Sequence, residues 1–317
     1  MQNNSTELSK APLICEICGS YNWTVFYRSI TDYVTNESFS ILRCSNCGVG
    51  FTSPCPSEIS QYYPPLYRQY SYLAKHILCM LYKRRVLSWH RLFYKAGSAL
   101  EIGCGSGFML AELEKLGWEV NGIERTDKMA QMARKQTGIS VIADDVAKLP
   151  SAKKYDLIIL FQVLEHMAEP LTMLQKCSDR LAPGGRIIIG VPNIESMQSR
   201  IFGPNWFHLD VPRHLCHFAS SDIEKMFSWT GLEVENIRYE SFEHDPYGWI
   251  QSLFNSLNIR QNNLTRYLMG IDKISFSLYI QLFFGVALFP LAILCSISSW
   301  FGKCGATMEV RGVRSNN

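Results

Sequence analysis

Three glycines on alternate positions in Leu100-Glu-Ile-Gly-Cys-Gly-Ser-Gly107 constrain this chain more than any other feature. They follow an apolar stretch and precede a helical one, so the backbone can turn sharply and leave bare main chain for a ligand. The helix that follows would aim its first amides at that ligand. Taken alone, the glycines fit a tight strand-to-helix turn equally well. Val120-Asn-Gly-Ile-Glu124 then reads as a second strand, ending in a carboxylate 17 residues after Gly107. In nucleotide-binding α/β folds a carboxylate at about that spacing takes the ribose hydroxyls. A dinucleotide fold wants Gly-x-Gly-x-x-Gly, and here the third glycine comes one residue early.

Strands and helices alternate beyond this point. Strands are expected near 98–103, 119–124, 140–144, 155–162 and 186–191, with helices near 107–116, 127–137 and 170–181. Helix 221–230 and strand 232–240 follow. Such alternation implies a parallel sheet with right-handed crossovers.

Leu100-Glu-Ile-Gly-Cys-Gly-Ser-Gly107 resembles motif I of the class I S-adenosylmethionine-dependent methyltransferases, and the rest of that pattern follows in order. Ala143-Asp-Asp-Val146 resembles the acidic end of the third strand. Tyr155-Asp-Leu-Ile-Ile-Leu-Phe-Gln-Val-Leu-Glu-His166 resembles the fourth strand and its turn, and Leu181-Ala-Pro-Gly-Gly-Arg-Ile-Ile-Ile-Gly-Val-Pro-Asn193 the passage into the fifth. The resemblance covers about residues 97–245 and resumes near 306–314. It implies a Rossmann-like α/β fold with a seven-stranded sheet and S-adenosylmethionine as cofactor. Glu101, Gly103, Gly105 and Gly107 would line the methionine side, and Glu124 would hold the ribose. Asp145 and Val146 would flank the adenine, with Gln162 at the boundary between cofactor and acceptor.

Four of the eleven cysteines form two Cys-x-x-Cys-Gly units, Cys15/Cys18 and Cys44/Cys47, with 25 residues between them. Two such knuckles supply the four thiolates of a closed, structural zinc site. The strands expected around Trp23–Phe26 and Phe39–Arg43 complete a zinc ribbon. Disulfides or a redox dithiol compete with this reading. The first ten residues are polar and carry no apolar run, which favours a reducing, cytoplasmic setting over disulfides. A net charge of +3 is too small to imply a nucleic-acid partner by itself.

Residues 71–95 read as one helix with a basic face of Lys75, Lys83, Arg84, Arg85, Arg91 and Lys95. That face is either solvated or attracted to anionic headgroups and phosphates. Ile274 to Phe301 runs 28 residues without a charge. As one helix it would be roughly 42 Å long, more than the ~30 Å hydrocarbon core. A single crossing would separate the expected strand 232–240 from its partner at 306–314, so a hairpin broken at Pro290 and dipping into one leaflet is expected. A buried helix pair or a dimer interface is the alternative.

The stretch Phe202 to Phe218 packs His208, Asp210, Arg213, His214 and His217 into one loop after the fifth strand. Ligands of such folds bind beyond the carboxyl ends of the strands. Its Asp210-Val-Pro-Arg-His-Leu-Cys-His-Phe218 run resembles a stretch in methyltransferases encoded with bacterial surface-polysaccharide genes. For a hydroxyl acceptor, His166 and His214 are candidate bases and Arg213 a candidate anion ligand. These groups equally could pin the loop by hydrogen bonds.

The expected organisation is a ribbon at 1–60, a linker and basic helix at 61–96, the core at 97–245, a lid and hydrophobic insertion at 246–303, and a last core strand at 304–317. The expected function is O- or C-methylation of a glycan or lipid-linked sugar at the cytoplasmic membrane face, without a nucleic-acid partner. Quinone-ring O-methylation, suggested by Val163-Leu-Glu-His166, and ribosomal RNA methylation with a zinc ribbon remain the alternatives.

Overall fold

The structure, a computed structural model, describes residues 14–63, 72–143, 153–257, 262–268, 271–273 and 275–315. Near the N-terminus lie strands β1 (Trp23–Thr31), β2 (Ser38–Cys44) and β3 (Gly50–Ser53), then helix α1 (Tyr72–His90). The alternating core follows as β4 (Ser98–Ile102), α2 (Phe108–Lys115), β5 (Glu119–Glu124), α3 (Asp127–Thr137), β6 (Val141–Ala143), β7 (Tyr155–Phe161), α4 (Pro170–Arg180) and β8 (Leu181–Pro192). Then come α5 (Met197–Phe202), β9 (Cys216–His217), α6 (Ser220–Trp229), β10 (Leu232–Arg238), α7 (Asp245–Ser256), α8 (Asn263–Leu268), α9 (Phe276–Phe301) and β11 (Thr307–Arg314).

Seven strands form one sheet in the order β10-β11-β8-β7-β4-β5-β6. The pairings from β6 through β8 are parallel, and β11 enters antiparallel between β8 and β10. The central β7 runs Leu157-Ile-Ile-Leu160 fully buried, as a strand covered on both faces requires. Local chemistry sets the helix ends. Thr126 caps α3 by accepting a hydrogen bond from the Met129 amide, and Gly138 ends it in the left-handed conformation.

The N-terminal ribbon is not a separate body. Strand β9, from the loop after β8, pairs antiparallel with β3 and makes the fourth strand of the ribbon sheet. Cys15, Cys44, Cys47 and Val49 share one apolar cluster with Cys216, Phe218, Ile223 and Met226. The boundary expected at residue 60 therefore divides the sequence without dividing the core.

Two expectations are corrected here. The apolar stretch is not broken at Pro290: α9 is one helix of 26 residues with the proline inside it. Its length at 1.5 Å per residue is about 39 Å. The hairpin is made instead by α7 and α9. Gly285 of α9 packs against Ile250 and Phe254, and Trp300 donates to Asp245 at the other end, so the two helices run antiparallel. This returns the chain to β11 beside β10 with no turn inside α9. The second correction concerns the basic face of α1. Arg85 points inward and pairs with Glu243 and Glu309, leaving Lys83 and Arg84 exposed on the helix, while Arg91 and Lys95 are exposed beyond its end at His90, short of the expected 95.

Among the described residues, only one face of α9 is covered. Its buried face consists of Leu278, Gln281, Gly285, Ala292, Ser296 and Ser299. The outer face carries Phe276, Val286 and Phe301 at 81%, 76% and 87% exposure, alongside Phe283, Leu291 and Leu294.

Candidate functional site

The glycine turn sits where β4 ends. Gly103, Gly105 and Gly107 all have positive φ, at 70°, 54° and 73°. The turn is tied to the next strand by the amides of Gly103 and Cys104, which donate to the Ile123 carbonyl. At the end of β5, Glu124 reaches back: its Oε2 accepts from the Gly105 amide at 2.8 Å and its Oε1 from the Arg125 amide at 3.0 Å. The structure thus brings the glycines and Glu124 to one rim, as expected.

Three observations test whether a cationic nucleoside such as S-adenosylmethionine fits this rim. A Cβ built on Gly105 meets none of the described residues within 4 Å, so its face lies open among them. Glu101 is buried at the root of the turn, and its Oε2 has no hydrogen-bond donor among the described residues. Burial, together with the nearby Glu124 charge, pushes the Glu101 carboxyl up to about 8. Gln162, just past the end of β7, holds φ at 57°, a conformation uncommon for a non-glycine residue. Its side-chain Nε2 is buried with no acceptor among the described residues. An acid lacking a donor and an amide lacking an acceptor, beside an open glycine face, fit a ligand with positive and polar groups. Asp145 and Val146 lie outside the described residues.

The acceptor side is assembled by stitching. After β7, Leu164–His166 form a 3-10 turn, and Val163 packs so closely on Gly103 that a Cβ there would lie 2.5 Å from its Cγ2. This turn is joined to the loop after β8: the Leu215 amide donates to the Glu165 carbonyl, and His166 Nδ1 lies 2.8 Å from the Arg213 carbonyl. His166 and His214 meet edge to face with ring centres 4.8 Å apart. Glu165 is 1% exposed, and its Oε1 lies 4.0 Å from Nε2 of each histidine. Sequence reasoning passed over Glu165. Its only local signal was its place beside His166; its partnership with His214 exists only once the loop has folded back.

Arg213 is corrected. It is 0% exposed and engaged throughout: Nε donates to Asp210, Nη1 to the Tyr62 carbonyl and to Asp32, and Nη2 to the Val211 carbonyl. Its guanidinium also lies over the Tyr33 ring. With these contacts it pins the loop to the ribbon and has no donor face left for an acceptor's phosphate. Burial opposes ionisation of Asp210, yet Arg213 and His214 hold its carboxyl well below the ordinary range. His208 and His217 are neutral, each lowered to about 3 by burial, and His217 is 2.9 Å from the Thr52 hydroxyl.

The cysteines gather as expected. Sulfur atoms of Cys15 and Cys47 lie 3.7 Å apart, those of Cys18 and Cys44 3.6 Å apart, and all four ligand atoms fall within 4.8 Å of one another. A tetrahedron with 2.3 Å metal–sulfur bonds has edges of about 3.8 Å. The hydrogen bond with Cys47 lowers the Cys15 thiol to about 5. No disulfide joins any of the described cysteines.

Residues 74–237 match the sequence family described as a methyltransferase domain. Among curated proteins, the ubiquinone biosynthesis O-methyltransferase of Cereibacter sphaeroides (strain ATCC 17023) is 30% identical over 122 residues, covering 36% of this chain and 49% of the relative. The protein of the same description from Bordetella avium (strain 197N) is 25% identical over 180 residues, 53% of this chain and 74% of the relative. The chain spans about half the length of the Cereibacter relatives it matches. Among solved structures, an S-adenosylmethionine-dependent methyltransferase from Archaeoglobus fulgidus superposes with a TM-score of 0.48 at 18% identity, over 74% of this chain and 93% of its own. Magnesium protoporphyrin IX methyltransferase from Synechocystis PCC 6803 with bound SAH gives 0.45 at 19% identity, over 55% and 84%.

Proposed function

This chain belongs to the methyltransferase-domain family, and from that premise we propose that the protein transfers a methyl group from S-adenosylmethionine to a hydroxyl of a membrane-held acceptor. The observation that carries the reading is the open rim where Glu101, Gly105, Glu124 and Gln162 converge beside two histidines and a buried carboxylate. When bound there, the cofactor supplies the electrophilic methyl group. The chain's own residues would bind and orient. Glu124, already fixed on the Gly105 amide, would take the ribose hydroxyls, and Glu101 would face positive charge. The cluster of Glu165, His166 and His214 would receive the acceptor and draw off its hydroxyl proton.

For the acceptor, a quinone-type ring is favoured over the glycan expected from sequence. The curated relatives named above are ubiquinone biosynthesis O-methyltransferases, and a prenylated ring is a lipid-phase molecule. A lipid-linked sugar is retained as a second reading, because the loop of Asp210 to Phe218 resembles that of surface-polysaccharide methyltransferases. Both acceptors suit the bare outer face of α9, which would lie in one leaflet at the cytoplasmic side. In the ribbon, Cys15, Cys18, Cys44 and Cys47 would hold a structural zinc ion, since their spacing matches a four-thiolate tetrahedron.

The test offers detergent-solubilised protein labelled S-adenosylmethionine with either a prenylated catechol or a polyprenyl-linked sugar. Label on the catechol oxygen supports the leading reading, and label on the sugar alone replaces it with the second. Label on neither, with cofactor still bound by calorimetry, removes both acceptor classes.

A further inference from the structure

Helix α9 is amphipathic in the reverse sense. Its buried face mixes Leu278 and Ala292 with Gln281, Gly285, Ser296 and Ser299, whereas its outer face carries Phe276, Phe283, Val286 and Leu294. A helix on a water-facing surface places its polar and its large apolar side chains the other way round. The outer face suits an apolar phase, as proposed above, and the charges around it point to the kind of phase.

Acids avoid this part of the chain. From Pro246 to Ala306 there is a single one, Asp272, although Asp and Glu make up 28 of the 317 residues. Asp272 is taken by Arg266, with Oδ2 2.7 Å from Nε. Exposed cations stand at both ends of α9, Lys273 just before it and Lys303 just after it. Beside it, α5 exposes Arg200 and Ile201, while Met197 and Phe202 of the same helix pack against the cluster that includes Ala292. Where Trp300 stacks on Phe242 at the C-terminal end, the neighbouring acids are occupied. Glu240 pairs with Arg238, Glu243 with Arg85, and the fully buried Asp245 accepts from Trp300. Because β10 and β11 are neighbours in one sheet, the chain enters and leaves α9 on the same side of any bilayer. Both lysines therefore meet one surface.

We propose that α9 with Lys273, Lys303 and Arg200 forms a docking surface for an anionic phospholipid bilayer. The apolar face would enter the acyl region, and the three cations would lie among the headgroup phosphates. This rests on the reading of α9 as the lipid-contacting element and adds the sign of the lipid's charge. Long basic side chains reach the phosphate level by laying their apolar stems along the apolar surface. Each cation beside an anionic surface strengthens binding about fivefold, the equivalent of ~1 kcal/mol. A second copy of the chain would also cover the apolar face. In a symmetric pair, however, these cations would meet one another and no unpaired acid of the 246–306 stretch.

The experiment floats full-length protein with vesicles of phosphatidylcholine alone and of phosphatidylcholine mixed equally with phosphatidylglycerol. The expected result at low salt is binding about tenfold tighter, or more, to the mixed vesicles. High salt should remove most of that preference by screening. Lys273→Gln, Lys303→Gln and Arg200→Gln combined should lower the mixed-vesicle affinity to the neutral-vesicle value. The three side chains are exposed, so melting temperature and neutral-vesicle affinity should stay as in the parent. Equal binding of the parent to both vesicles overturns the proposal and leaves α9 as a lipid contact. A preference that survives in the triple variant overturns it as well, because the responsible cations then lie elsewhere. Failure to bind either vesicle removes the lipid-contact reading with it, and a dimer in sedimentation would then make a second copy the occupant. Methyl transfer to a detergent-dispersed acceptor should be equal in variant and parent, so the acceptor reading stands or falls separately.

Discussion

Glu101 is the residue whose chemistry is most exposed to test. Its carboxyl is pushed to about 8, first by burial and then by the Glu124 charge, from an ordinary 4.5. The sign follows from linkage. A raised acid contributes stability in full below pH 4.5, and that contribution is lost as pH rises through about 8. At pH 7 the unliganded protein therefore holds this proton. Positive charge arriving beside Glu101 favours the carboxylate, so cofactor binding at pH 7 should release up to one proton per chain. Calorimetry in buffers of different ionisation enthalpy measures the release, and Glu101→Gln should abolish it. Binding without proton release would mean that Glu101 does not face the cofactor's charge. Residues of this kind were legible in sequence because their partners are local: Glu101 and the three glycines lie in one turn, and Glu124 closes the adjacent strand. Arg213 was not legible, because its partner Asp32 lies in the ribbon, 181 positions earlier, and both side chains are fully buried.

Among the elements, α9 departs furthest from expectation. A proline costs a helix one hydrogen bond and a steric adjustment, which by itself predicts a break at Pro290. What sequence did not reveal was α7 as antiparallel partner, whose Trp249, Ile250 and Phe254 cluster with Ala292 and support α9 between Gly285 and Trp300. The outward face has no such partner among the described residues. Each fully buried large apolar side chain is worth about 1.5–3 kcal/mol relative to exposure, so covering several at once would drive this face onto the lipid surface proposed above. Replacing Phe283, Val286 and Leu294 together by serine touches only that outer face. The triple variant should keep its melting temperature within a few degrees and lose at least tenfold in affinity for phospholipid vesicles in flotation. Equal flotation of variant and parent would remove α9 as the lipid-contacting element.

At the scale of the whole molecule, the ribbon and the acceptor loop are one construction. Strand β3 pairs with β9, the Thr52 amide and hydroxyl bond the carbonyls of Leu215 and His214, and Arg213 is clamped by Asp32 and Tyr62. The cofactor rim on β4 and β5 has no hydrogen bond of this kind to the ribbon among the described residues. Stripping the zinc proposed for the four cysteines should therefore loosen residues 210–218 in hydrogen exchange while cofactor affinity changes less than threefold. Arg213→Ala should do the same and lower stability by about 3–5 kcal/mol, the usual cost of leaving a buried carboxylate without its partner. A large loss of cofactor affinity in either case would show the two halves to be coupled. The Rossmann-like core was legible because its alternation is periodic; this coupling was not, since a two-residue strand such as β9 has no period to detect. One consequence belongs to the order in which the chain is made. Strand β11 fills the slot between β8 and β10, yet a ribosome delivers it after both, and after the oily α9. Until Thr307–Arg314 clear the exit tunnel, β8 and β10 each present a naked edge, so the nascent protein is at its stickiest in the interval between β10 and β11.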